Sequence, residues 1–284
     1  MTVTMRNQPV MGKITVEKQG EMLVGVEEAD TGFGRQLKPV FAMRPLVGAE
    51  FSIIAAEDIT TLDGTVRAKR GDVVDRIVTG DKGAATSKAL YLGNYLVVET
   101  KAPAGFVLDA EKHPVSLVYE DQLTAVVSAQ IGLDNVRQAV EISLTKVMEK
   151  PVNAPEGFNP FADVVFGLFA GESIGGIIPK DALVGIIMPD DSGNGIFDGD
   201  LPFGKYYVVE LQTNPYYQLN KTRYDIDVAY AGQDKAVAKF RINNGEAIPN
   251  ELNDKEIISD LRKTSLSFQS SSKPIEEAKS FESP

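Results

Sequence analysis

Two lysines in this chain stand where a side chain should be buried. Lys18 ends the segment Ile-Thr-Val-Glu-Lys (14–18), and Lys146 ends Ile-Ser-Leu-Thr-Lys (142–146). Successive side chains of a strand point to opposite faces, so each lysine shares the face of its apolar neighbours, Ile14 and Val16 or Ile142 and Leu144. A second block also occurs twice: Leu-Gly-Asn-Tyr-Leu-Val-Val-Glu (92–99) and Phe-Gly-Lys-Tyr-Tyr-Val-Val-Glu (203–210). It ends on Glu99 or Glu210. A lone buried ammonium is very costly unless it is paired, neutralised or consumed by chemistry. A third recurring type is asparagine. Asn7 precedes Lys18 by 11 residues, Asn135 precedes Lys146 by 11, and Asn250 precedes Lys263 by 13. The junction thus reads three times, with two whole units between fragments of neighbours.

The elements that must position these residues are strands. Short Val-, Ile-, Phe- and Tyr-rich runs separated by Gly, Pro, Asp and Asn clusters describe an all-β sandwich. The pattern predicts strands near 13–18, 49–55, 73–79, 94–100, 114–119 and 124–131. A second set is predicted near 140–147, 163–170, 183–188, 205–211, 223–230 and 236–242. Phe51-Ser-Ile-Ile-Ala-Ala-Glu57 aligns with Phe166-Gly-Leu-Phe-Ala-Gly-Glu172, so similar modules stand in series. The reading is of two tandem β-sandwiches, 10–136 and 138–252. Residues 253–284 would be the truncated start of a further repeat and a disordered tail, rich in Ser, Lys, Glu and Pro. No Gly/Ser or Pro-rich spacer separates the units, which predicts a short, stiff junction.

Composition removes most catalytic classes. The chain has 284 residues, a net charge of −11 and no cysteine, which excludes disulfides, thiolate nucleophiles and cysteine-based metal sites. The acidic balance argues against nucleic acid and anionic membranes. No apolar run is long enough to span a membrane, and no signal peptide or sorting motif is visible. The single histidine, His113, reads as a solvated turn residue. No metal or cofactor is expected. Asp190–Asp200 lacks the spacing of a calcium loop and reads as a hairpin turn, and Gly-Phe-Gly at 32–34 has no phosphate-loop context.

With the lysine-ending first strand, the Tyr-x-Val-Val-Glu block and Glu-Thr-Lys-Ala-Pro-Ala-Gly-Phe-Val-Leu-Asp (99–109), the chain resembles the Cna B-type and SpaA-type repeat domains of Gram-positive surface adhesins and pilins. The resemblance covers residues 10–252 and is stronger in the first unit, because Leu211-Gln-Thr-Asn-Pro-Tyr-Tyr-Gln-Leu219 departs from the Ala-Pro-Ala-Gly wording. It implies prealbumin-like, immunoglobulin-like sandwiches, each with a self-made intramolecular isopeptide bond: Lys18 to Asn135 and Lys146 to Asn250, with Glu99 and Glu210 as proton shuttles. Asn135 is preferred to Asp134 because an amide loses ammonia, whereas a carboxylate would have to lose water. Asn244 competes with Asn250, since it shares the parity of Phe240 and Ile242. The resemblance further implies a structural stalk or shaft segment, anchored to the cell wall outside a Gram-positive bacterium, whose partners are neighbouring repeats.

Other readings of the same residues stand beside this one. The lysines could snorkel at strand ends, the glutamates could be edge-strand charges, and asparagine is common in turns. A ligand-binding adhesin domain recognising a host matrix protein or glycan would show a large exposed apolar patch. A glycosidase would need two carboxyls at a set separation, and each unit offers one matching carboxyl.

Overall fold

The computed structural model describes residues 9–253, apart from 153 and 198. The first half contains β1 (Met11–Thr31), β2 (Gly34–Pro45), β3 (Glu50–Ala55), β4 (Ile59–Thr60), β5 (Val66–Ala68), β6 (Val73–Val78), β7 (Ala84–Thr86), β8 (Leu90–Tyr91), β9 (Gly93–Lys101), β10 (Lys112–Leu117) and β11 (Val126–Asn135). The second half contains β12 (Ala139–Met148), β13 (Val165–Ala170), β14 (Leu183–Ile187), β15 (Asn194–Phe197), β16 (Gly204–Gln212), β17 (Tyr224–Val228), β18 (Val237–Arg241) and β19 (Ile248–Asn250). Among the described residues no helix is long and apolar enough to cross a membrane.

Each half is a sandwich of two sheets. One sheet runs β10-β9-β3-β6, matched in the second half by β17-β16-β13-β14. The opposing sheet centres on the first strand: β1 lies between β11 and the short β7 and β8, and β12 between β15 and the pair β18 and β19. Two cores follow from the inward parity of these strands. Ile14, Val16, Phe51, Ile53, Tyr95 and Val97 fill the first, and Ile142, Leu144, Phe166, Leu168, Tyr206 and Val208 fill the second. The first and last strands of each sandwich run parallel, with Gly20 opposite Asn135 and Met148 opposite Asn250. Parallel neighbours cannot be joined by a hairpin. Each pair is therefore joined by a long connection that passes through the rest of its sandwich.

Several features depart from the strand pattern expected from sequence, among them the short strands β7, β8, β15 and β19. The first strand does not stop near residue 18. It runs to Thr31, turns at Gly32-Phe33 and returns as β2, a long antiparallel hairpin with Asp30 opposite Arg35. Gly-Phe-Gly (32–34) is therefore the tip of this hairpin. The polar stretch 57–72 folds as a small ribbon of β4 and β5. His113 lies within β10, with Nε2 2.7 Å from Asp109 Oδ2, rather than in a solvated turn. The Asp190 segment is not a hairpin: it turns at 190–193, where the Asp190 N–H donates to Asn194 O at 2.8 Å and Asp190 Oδ1 accepts from the Ser192 and Asn194 N–H groups, and continues as β15, which crosses to the other sheet and pairs with β12. Asn7, Lys263 and the tail from 254 lie outside the described residues.

The hairpin reaches from the first sandwich onto the second. Leu23 and Val26 pack against the second core, Gln36 pairs with Leu183, and Gln36 Nε2 donates to Val184 O at 2.9 Å. The junction residues continue the contact. The Arg137 guanidinium stacks 3.8 Å from the Phe41 ring, donates to Leu201 O at 3.1 Å and pairs with Asp200. Gln138 donates to the carbonyls of Gly232 and Lys235 and accepts from the Ala231 N–H. Arg137→Ala should remove a charge-assisted hydrogen bond and a ring contact together. The expected loss is about 1.5–3 kcal/mol of coupling between the sandwiches, read as a split or broadened calorimetric transition; an unchanged melt would show that the junction does not depend on Arg137.

Candidate functional site

Parity delivers the lysines into the cores. Along β1 the inward positions are Gly12, Ile14, Val16, Lys18 and Gly20; along β12 they are Val140, Ile142, Leu144, Lys146 and Met148. Both lysine side chains are 0 % exposed, so neither snorkels to solvent. The strand is seated by a glycine. Lys18 N–H donates to Gly83 O at 2.7 Å and Lys146 N–H to Gly193 O at 2.6 Å. Both glycines have positive φ (69° and 83°), and a Cβ on Gly83 would fall 2.5 Å from Lys18 O. Only glycine permits this approach.

The glutamates come from the middle of the opposing sheets. β9 and β16 each lie between two other strands, and the Glu99 and Glu210 side chains are 1 % and 0 % exposed. That position is not the solvent edge where a charge would discourage aggregation. In the first sandwich Lys18 Nζ is 3.8 Å from Glu99 Oε1, while Glu99 Oε2 accepts from Asn135 Nδ2 at 3.1 Å and from the Asp109 N–H at 2.8 Å. Asn135 Nδ2 also donates to Val107 O at 3.0 Å. In the second sandwich Lys146 Nζ lies 3.2 Å from Glu210 Oε1 and contacts Asn250 Oδ1 directly. Glu210 Oε2 accepts from Asn250 Nδ2 at 2.8 Å and from the Asn220 N–H at 2.7 Å.

Burial pushes both lysines below their ordinary range, against the pull of the neighbouring glutamates in the opposite direction. The local surroundings are apolar: Lys18 Nζ sits 5.8 Å from the Phe51 ring centroid and Lys146 Nζ 5.6 Å from that of Phe166. In the first sandwich Lys18 Nζ, Glu99 Oε1 and Asn135 Oδ1 have no hydrogen-bond partner among the described residues. Buried polar groups are nearly always satisfied, so three such atoms gathered in one place call for an explanation.

The structure separates the competing asparagines. Asn250 is buried on β19, two residues beyond the partner of Lys146 in the parallel register. Asn244 is exposed in a 3-10 turn with φ 53°. Asp134 is exposed on β11 while Asn135 is buried. Sequence reading did not anticipate the supporting groups. Thr213 Oγ1 lies 2.9 Å from Asn250 Nδ2, Gln218 O accepts from it at 2.9 Å, and the N–H ten residues after each glutamate anchors its carboxylate. The aligned Phe51 and Phe166 were a visible signal for the apolar wall. Elsewhere Asp109, Glu111 and His113 bring three possible metal-donor atoms within 4.8 Å of one another, but Asp109 and His113 already satisfy each other.

Chemically, each cluster sets an amine, a carboxyl and a carboxamide together without solvent. Comparison with known proteins agrees with the architecture. The SpaA prealbumin-like fold domain matches residues 42–131 and 152–246, which leaves β1 and most of the long hairpin outside the first match. A fimbrial subunit type 2 of Actinomyces naeslundii is 32 % identical over 118 residues, covering 34 % of this chain and 21 % of that protein. The Bacillus anthracis TIE protein superposes over 86 % of this chain and 34 % of its own, at a TM-score of 0.53 and 20 % identity. This chain thus spans about a fifth and a third of the lengths of these two relatives. With two matches that together cover more than half of its length, the chain belongs to the SpaA prealbumin-like fold domain family.

Proposed function

We propose that this chain is a shaft or stalk segment of a pilus-like fibre on the surface of a Gram-positive bacterium, and that each sandwich closes one isopeptide bond. The observation that carries the reading is the contact of Lys146 Nζ with Asn250 Oδ1 under Glu210, together with the same three residue types around Glu99. The fimbrial subunit relative supports the assembly role. The units we assign are residues 10–136 and 138–252.

The reaction balances within each cluster. Proton transfer from the lysine ammonium to the carboxylate leaves two neutral groups, which burial favours. The neutral Nζ attacks Cγ of the asparagine, whose Nδ2 already faces the glutamate carboxyl. The carboxyl then moves a proton from the attacking nitrogen to Nδ2, the Cγ–Nδ2 bond breaks, and ammonia leaves. Folding holds the groups in place, which is worth on the order of 7–11 kcal/mol of barrier when they are aligned. The step runs once per domain, so it is self-processing and not turnover.

The mechanical consequence follows from topology. Tension entering at the start of β1 and leaving at the end of β11 shears two parallel neighbours. A bond between Lys18 and Asn135 would carry that tension directly and bypass the rest of the sandwich. The intact mass should fall below the sequence mass by two ammonia molecules; a mass equal to the sequence value would refute bond formation. Glu99→Ala and Glu210→Ala should each block the bond in their own sandwich alone, read from tryptic peptides, because nothing links the two clusters. Normal cross-linking in either variant would remove that glutamate from the mechanism.

Lys18→Ala should leave the first sandwich folded but less stable by about 4–5 kcal/mol, the chain-entropy value for a closed loop of about a hundred residues. For a domain of this size that is roughly 20 °C in Tm. Equal melting of wild type and Lys18→Ala would end the cross-link reading for this domain.

A further inference from the structure

The second sandwich grips the first through a small set of groups at its N-terminal pole. Tyr230 Oη donates to Phe106 O at 2.8 Å. Gln233 Oε1 accepts from the Ala102 N–H at 3.0 Å, and Gln233 O accepts from the Leu108 N–H at 2.9 Å. Phe203 stands edge-to-face with Tyr230, centroids 6.1 Å apart, and packs over Gly105, where an added Cβ would lie 3.5 Å from the ring.

Strand register locates the counterparts in the first sandwich. Leu117 pairs with Gly93 as Val228 pairs with Gly204. Met11 pairs with Val126 as Ala139 pairs with Val237. Tyr119 therefore corresponds to Tyr230, Gln122 to Gln233 and Leu92 to Phe203. The tyrosine and the glutamine are retained and the aromatic ring becomes another large apolar side chain; Arg137 is replaced by Pro9. At the first sandwich Leu92 packs against its own core, and the two polar groups have no partner among the described residues. Tyr119 is 54 % exposed, Gln122 is exposed, and neither side chain makes a hydrogen bond among the described residues. With the fully exposed Leu62 beside them, Tyr119 and Leu92 line an open groove of about 700 Å³.

We propose that this pole is a docking surface for the C-terminal pole of a further prealbumin-like domain of the first-sandwich type, joined ahead of Pro9 in the same polypeptide. The established junction between the two sandwiches supplies the geometry. The occupant is not the second sandwich of another copy, because the place of Gly105 is there taken by Tyr216, whose ring packs edge-to-face on Phe158 at 5.0 Å. Nor is it the first sandwich of another copy, whose C-terminal pole is already covered by its own second sandwich. The proposal is independent of isopeptide chemistry and of the pilus reading, since it concerns only which surfaces fit.

Amide exchange tests it, because docking slows local opening. In the full chain, a second copy of residues 9–136 is inserted directly ahead of Pro9, carrying Val118→Ile so that the two copies give peptides of different mass. Segment 119–124 of the inner copy should exchange at least tenfold more slowly than that of the outer copy, and Gly105→Tyr in the added copy should abolish the difference. Equal exchange in the two copies overturns the proposal.

A variant of the unaltered chain gives a second, independent reading. Phe203→Leu installs the side chain found at the free pole, and it should leave segment 230–235 as protected as in the parent. Loss of that protection shows that the Leu92 type of pole cannot dock and also overturns the proposal. So does slow exchange of 119–124 in the parent chain that becomes fast when residues 1–8 are removed, since the pole would then belong to the chain's own N-terminus.

Discussion

A buried lysine on the first strand of each sandwich is the constraint around which the rest is arranged. An ammonium cut off from water loses hydration worth several kcal/mol, and only a close carboxylate or the loss of its charge makes the position tolerable. Lys18 and Lys146 meet that demand in the same way, with one glutamate from the facing sheet and one asparagine from the parallel last strand. The three groups come from the start, middle and end of each unit. The cluster therefore exists only once the whole sandwich has closed, which ties any chemistry it performs to completed folding.

The two clusters share a plan and differ in detail. Each glutamate is held by a backbone N–H from the loop that follows its strand, and each lysine lies near a phenylalanine ring. Asn250 has more support than Asn135: Thr213 and the Gln218 carbonyl add to Glu210, whereas Asn135 has Glu99 and the Val107 carbonyl. The second unit keeps this arrangement although its loop wording departs from Ala-Pro-Ala-Gly. Local sequence around the loop is free to change as long as backbone groups still face the carboxylate and the amide.

Between the sandwiches, contact comes from an element with no counterpart among the described residues of the second unit. The β1–β2 hairpin carries a sheet of the first sandwich onto β14 of the second, and Arg137 locks onto Phe41 of that hairpin. In the load-bearing role proposed above, this contact would matter as much as the strength of each domain. A flexible joint would let tension reorient the units, whereas contacts such as the Gln36–Leu183 pairing oppose that reorientation.

Much was legible in the sequence because period-2 alternation is a local property. Strand positions, the two-unit repeat and the inward parity of Lys18, Lys146, Glu99 and Glu210 all follow from side chains a few residues apart. What could not be read were pairings over long distances. The expected strands leave out residues 19–45, where Leu23 and Val26 pack on the second core while Met22, Val24 and Met43 are exposed, so alternation there does not mark a core of the first unit. The choice between Asn250 and Asn244 was open for the same kind of reason: both satisfy a local parity, and only the parallel register of β19 on β12 puts one of them beside Lys146. The sequence by itself determined which side chains would be buried. Which of them meet was decided by tertiary structure, because contacts between a first and a last strand depend on the closure of everything that lies between them.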